Sequence, residues 1–175
     1  METITHHIFL IGFMGTGKST ISAELKEMLH RECLEMDQMI VESQKMPISE
    51  IFEKYGENHF RDIETQTLIG LKDHEPAIVS CGGGIVVRQE NISHMKESGK
   101  IVLLTATPQT IYERIKDSTD RPVLNGHMSV EYIRELMEKR REKYEAAADL
   151  IVATDDRSIE EICREIIEGV RQLNI

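Results

Sequence analysis

Cysteine is scarce in this chain, and its three copies do not group. Cys33, Cys81 and Cys163 are far apart and odd in number. That excludes a disulfide framework and C-x-x-C metal spacing, and it points to a reducing compartment. The seven histidines form no H-x-x-x-H pair and no cluster with cysteine, so His6-His7 reads as the polar lead-in to a strand. No basic leader precedes the first apolar run, which stops after a few residues. Neither a signal peptide nor a transmembrane helix is expected, and the chain reads as cytoplasmic. Linkers, internal repeats and low-complexity stretches are missing too. Positive charge is also short: 21 Lys and Arg face 31 Asp and Glu, a net charge of −10. Nucleic acid and anionic membrane surfaces are themselves negative, so neither is an expected partner. Any anionic ligand must be met by a local group of Arg and Lys set against the overall field.

What is present suits one domain. The 175 residues are 40% apolar and 30% charged, long enough for a single sizeable core. Five short apolar runs read as buried strands: Ile8 to Phe13, Leu34 to Asp37, Ala77 to Ser80, Ile101 to Thr105, and Leu150 to Val152. Helical patterns fall between and after them: 18–30, 48–55, 60–71 and 158–173, the last capped by Ser158, with Glu160 and Glu161 favouring its amino end. Apolar strands alternating with amphipathic helices imply an α/β fold, a parallel sheet covered on both faces. Asp117 to Ser129 is the one stretch with loop character. Ligands of such sheets sit beyond the carboxyl ends of the strands, so the segments after Phe13, around Asp37 and after Ser80 should converge there.

The segment GFMGTGKS, residues 12–19, spells G-x-x-x-x-G-K-S between a strand and a helix. Glycines let the backbone take left-handed turns and aim N–H groups at phosphate oxygens. Lys18 can reach the β- and γ-phosphates and Ser19 can ligate Mg²⁺, while the following helix presents its positive end. Nucleotide binding follows from this context; what the phosphate is for does not.

Later residues are individually ambiguous. Glu35 and Asp37, two apart on a strand, would share a face and could serve a metal's water shell and a hydroxyl, or be two solvated carboxylates. Arg61 offers a planar fork for a carboxylate or phosphate, but alone it fits a surface ion pair with Glu57 or Glu64. Three glycines at 82–84 let a ligand approach the main chain closely. Arg121, in the long loop, could serve transferring phosphates. Lys139-Arg140-Arg141, with Glu135, Glu138 and Glu142 nearby, has the pattern of a solvated, ion-paired helix face.

Taken in order, these segments resemble the shikimate kinase family nearly end to end. The anchors are GFMGTGKST, EMD, IFEKYGENHFRDIE, SCGGG, RPVL, RREKYEAAAD and TDDRS. The resemblance implies a P-loop three-layer sandwich of the nucleoside-monophosphate-kinase type with a five-stranded parallel sheet. Within one domain it implies a core of about 1–34, 72–111 and 146–175, a substrate-binding segment of about 35–71, and a lid of about 112–128. It implies ATP and shikimate as substrates with Mg²⁺ as cofactor, acting in a monomer. Gly15, Thr16, Gly17, Lys18, Ser19 and Thr20 would cradle ATP, with Ser19 on the metal. Asp37 would hold and activate the attacked hydroxyl. Arg61 and Arg140 would clamp the shikimate carboxylate, the Gly83 backbone would contact the ring, and Phe52 and Phe60 would wall the pocket. Arg121 would cover the phosphates and Arg157 would lie beside adenine. Two positions depart from the family pattern: Glu35 replaces the usual first aspartate of D-x-D, and Glu142 stands where proline is common. Two other readings stay open, a kinase for another small polyol such as gluconate and a nucleotide-binding regulatory module without catalysis.

Overall fold

Along the two central strands the side chains alternate between two apolar cores, and this alternation builds the layers. The structure, a computed structural model, describes residues 3–116 and 129–173. Five strands, β1 (His7–Ile11), β2 (Cys33–Glu35), β3 (Ile78–Ser80), β4 (Gly99–Thr105) and β5 (Leu150–Ala153), form one parallel sheet in the order β2-β3-β1-β4-β5. On one face Phe9, Ile11, Val79, Ile101 and Leu103 enter a core shared with Leu68, Met95, Ile111, Ile133 and Tyr144. On the other, Ile8, Leu10, Ile78, Val102, Leu104 and Val152 meet Ile21 and Leu25 together with Ile162, Cys163, Ile166 and Val170.

The helices are α1 (Lys18–Leu29), α2 (Met36–Gln44), α3 (Ile48–Tyr55), α4 (Glu57–Gly70), α5 (Gln89–Ser98), α6 (Pro108–Ile115), α7 (Val130–Ala147) and α8 (Ile159–Gln172). Helices α1 and α8 cover one face and α4 to α7 the other. Ile40, Ile51 and Phe60 of α2, α3 and α4 form a third, smaller cluster, so the segment between β2 and β3 has packing of its own.

The five strands and the helices expected at 18–30, 48–55, 60–71 and 158–173 lie where the periodicity puts them, with ends shifted by up to three residues; the pattern sets no bounds for α2, α5, α6 and α7. One shift changes chemistry. The second strand stops at Glu35, and Asp37 lies in the first turn of α2. The expectation that Glu35 and Asp37 share a strand face is therefore corrected. Asp37 favours that place because a carboxylate is stabilised at a helix amino end. His7 also differs from a polar lead-in, for it opens β1 and is buried. Its Nε2 lies 2.7 Å from the Leu71 carbonyl, and its Nδ1 accepts from the Ala77 N–H at 3.0 Å. These two bonds fit the tautomer that carries its hydrogen on Nε2.

The α8 start is a full capping box. Ser158 Oγ accepts from the Glu161 N–H at 3.1 Å, and the Ser158 N–H donates to Glu161 Oε2 at 3.3 Å. Ser158→Ala should lower unfolding free energy by about 1 kcal/mol in urea titration, with a smaller loss than about 0.3 kcal/mol showing that α8 is held by packing alone.

Candidate active site

The sheet order brings three chain turns together at its carboxyl edge. The loop after β1, the start of α2 and the loop after β3 line one cavity of about 410 Å³, with Gly15, Gly17, Lys18, Ser19 and Thr20 on one side and Asp37, Gly82 and Gly83 on the other.

In the loop after β1, Gly15 and Gly17 have φ of 81° and 94°, the left-handed backbone that favours glycine. Gly17 caps α1 without a side chain, which leaves helix N–H groups for an anion. Thr16 is buried and its hydroxyl donates to the Phe13 carbonyl at 2.8 Å, bracing the loop. Lys18 Nζ donates to the Gly12 and Phe13 carbonyls at 2.7 and 3.0 Å. Arg114, from the last turn of α6, spans the loop and β5: Nη1 donates to Gly15 O at 3.0 Å and Thr154 Oγ1 at 3.2 Å, and Nη2 to Thr154 O at 3.3 Å.

Ser19 Oγ donates to Glu35 Oε2 at 3.1 Å, and Ser22 Oγ donates to Glu35 Oε1 at 3.4 Å. Among the described residues, no group of three or more His, Cys, Asp or Glu could hold a metal. A hydroxyl beside one carboxylate still fits Mg²⁺, a hard ion that keeps several waters and takes the rest of its oxygens from phosphates. The longer Glu35 reaches Ser19 directly.

Across the cavity, the glycine loop makes room for charge. A Cβ on Gly82 would stand 2.9 Å from Asp37 Oδ1 and 3.2 Å from Glu64 Oε2, and one on Gly84 would collide with the Arg61 guanidinium. Arg61 is 5% exposed; its Nη1 donates to buried Glu64 at 3.0 Å and its Nη2 to exposed Glu57 at 3.2 Å. Both partners suggested by the sequence are therefore used, but the pair with Glu64 is interior. Burial pushes the Glu64 carboxyl up, opposed by Arg61. Arg61 Nε and Glu64 Oε2 are buried without hydrogen-bond partners among the described residues, the kind of unpaired groups that a ligand or water would satisfy. Phe52 and Phe60 pack with ring centroids 4.9 Å apart and planes tilted by 38°, with the Arg61 guanidinium 5.2 Å from the Phe60 ring centre; neither ring lines the cavity.

Arg140 leaves the solvated pattern of its neighbours. Arg141 pairs with Glu138 and Glu145, whereas Arg140 Nη1 donates to the Gly83 carbonyl at 3.1 Å. Tyr144, one turn on, donates its hydroxyl to the same carbonyl. Arg61 and Arg140 thus stand behind the glycine wall, against Gly84 and on Gly83. Arg157 is not brought to the cavity lining; its Nη1 donates to Ala153 O at 2.8 Å and pairs with Glu165 at 2.6 Å. Of the expected lid, residues 112–115 belong to α6, while Arg121 lies outside the described residues.

With this geometry in hand, a family model described as shikimate kinase matches residues 14–171. The chain belongs to the shikimate kinase family. It is 38% identical to the shikimate kinase of Thermodesulfovibrio yellowstonii over 168 residues, covering 96% of each chain. To that of Geobacter metallireducens it is 38% identical over 160 residues, 91% of this chain and 89% of the other. A solved shikimate kinase from Acinetobacter baumannii, in complex with shikimate, superposes with a TM-score of 0.92 at 28% identity over 99% of this chain and 97% of that one. A gluconokinase from Sinorhizobium meliloti reaches 0.65 at 19% identity, covering 98% and 95%, a likeness of fold alone.

Sequence reasoning singled out neither Arg114 nor Tyr144 for the site, and it treated Glu64 only as a possible surface partner. The i,i+3 spacing of Arg61 and Glu64 was a usable signal. Nothing local marks Arg114, a basic residue in a last helical turn. The buried pair yields a stability test: Glu64→Ala should cost on the order of 3 kcal/mol in urea unfolding by leaving the Arg61 cation without its interior partner. A cost below about 1 kcal/mol would mean that the cation is solvated there.

Proposed function

We propose that the chain transfers the γ-phosphoryl of ATP to the 3-hydroxyl of shikimate, giving ADP and shikimate 3-phosphate, within the cavity shared by the phosphate loop and Asp37. The observation that carries the reading is that sharing: Lys18, Ser19, Asp37 and Gly83 line one space of about 410 Å³. Membership of the shikimate kinase family supplies the reaction, a step of aromatic amino acid biosynthesis.

Phosphoryl transfer asks the protein mainly for alignment and charge stabilisation. Gly15 to Thr20 would hold the ATP phosphates with backbone N–H groups, and Lys18 would exchange its carbonyl partners for phosphate oxygens. Ser19 would hold Mg²⁺ through Oγ, with Glu35 accepting a hydrogen bond from that hydroxyl. When bound, Mg²⁺ offsets charge on the phosphate oxygens. Asp37 would hold the attacking hydroxyl in line and accept its proton. Arg61 and Arg140 would meet the shikimate carboxylate, and the Gly83 main chain the ring. The family resemblance assigns Arg121 to the phosphates and Arg157 to the adenine side, the latter supported by its place just beyond β5, close to Thr154, which Arg114 binds. Action as a cytoplasmic monomer belongs to the same reading; residues for both substrates come from one chain, and all three cysteines are free.

Two substitutions test the roles in steady-state kinetics. Asp37→Asn should lower kcat by roughly 10² to 10⁴-fold while leaving the KM for ATP nearly unchanged; near-normal turnover would remove Asp37 from the chemistry. Arg140→Ala should raise the KM for shikimate by about 10 to 100-fold and that for ATP far less. Equal increases for both substrates would assign Arg140 to the fold instead.

A further inference from the structure

The Gly83 carbonyl carries two side-chain donors, Arg140 Nη1 at 3.1 Å and the Tyr144 hydroxyl. Both come from α7, one helical turn apart, so one rigid element delivers both to one acceptor. Their environments differ. Arg140 is half-buried, whereas Tyr144 is 5% exposed and packs into the core beneath the sheet. Gly83 itself is wedged between this helix and the phosphate loop. A Cβ built on it would lie 3.6 Å from Met14 N, 3.7 Å from Gly12 O and 3.7 Å from Arg140 Nη1. Its peptide is therefore the point where donor loop, acceptor wall and α7 meet.

A carbonyl has two lone pairs and can accept from both groups at once. Consider what happens when a guanidinium in this position turns to a bound carboxylate, which is the stronger acceptor. The carbonyl it leaves would be an unpaired polar group in a closing site, and that carries a penalty. A second donor fixed in the core removes the penalty. We infer that Tyr144 is a positioning residue for acceptor binding: its hydroxyl keeps the Gly83 carbonyl satisfied when Arg140 leaves it, so that Arg140 is free to engage an anionic acceptor. The inference rests on Arg140 meeting the carboxylate, as proposed above. Tyr144 touches no reacting atom and acts through Gly83 and Arg140.

The test is the dissociation constant for shikimate measured by titration calorimetry on the full chain, for the unsubstituted protein, Tyr144→Phe, Arg140→Ala and the double variant. Phenylalanine keeps the buried ring, and thermal melts of all four proteins confirm that folded species are compared. Tyr144→Phe should weaken shikimate binding by about 5 to 30-fold, with the KM for ATP and the kcat at saturating shikimate each changed less than about twofold. In the Arg140→Ala background the same substitution should change shikimate binding less than about twofold, because no guanidinium remains to be released. Equal weakening in both backgrounds would mean that Tyr144 only shapes the loop, and that overturns the inference. Unchanged binding in Tyr144→Phe, or an equal loss toward ATP, overturns it as well. Failure of the unsubstituted protein to bind shikimate would instead overturn the functional reading, and this inference with it.

Discussion

The register of the parallel sheet is the constraint on which the rest depends. Glu35 pairs with Ser80, Ser80 with Leu10, and Leu10 with Val102. At that level β2 and β3 end and β1 ends one residue later, so the turns that follow these three strands emerge side by side, while β4 runs three residues further. A slip of one residue would displace a strand end by about 3.3 Å and turn its side chains to the opposite face. Either change would separate Asp37 or the glycine loop from Lys18. The two cores hold the register, because Phe9 and Ile11 can face only one helix layer and Ile8 and Leu10 only the other.

On this frame the chain arranges positive charge against a net charge of −10. Several of its cations donate to neutral backbone carbonyls. Lys18 donates to Gly12 and Phe13, Arg114 to Gly15 and Thr154, and Arg140 to Gly83. Hydrogen bonds to neutral carbonyls are weaker than those to phosphate or carboxylate, so an anionic ligand gains by replacing them. Arg61 is the exception. Its buried pairing with Glu64 fixes the guanidinium in place, and the missing side chain at Gly84 leaves it space. Arg61 is thus anchored by a carboxylate, whereas Arg140 rests on a neutral carbonyl.

Much of this was legible in the sequence where residue type and function coincide. The phosphate loop declares itself because glycines, lysine and serine are each needed at fixed spacing between a strand and a helix. The five strands declare themselves because strands buried on both faces must be apolar throughout. Asp37 was found but put on a strand, since three residues of β2 carry too little pattern to show where the strand yields to α2. Arg140 looked like its solvated neighbours; only the fold reveals that it alone faces Gly83, and the family resemblance had to supply its role. Tyr144 and Arg114 stayed hidden because their partners are backbone carbonyls 61 and 99 residues away, which no local spacing records.

Product identity decides whether the cavity joins phosphoryl donor and acceptor. The protein is incubated with ATP, Mg²⁺ and shikimate, and the products are resolved by phosphorus NMR with ADP release followed in parallel. One phosphorylated product should form, bearing the group on the 3-hydroxyl of shikimate, in step with ADP and absent without Mg²⁺. ADP release without phosphorylated shikimate, or preferential phosphorylation of gluconate under the same conditions, would contradict it.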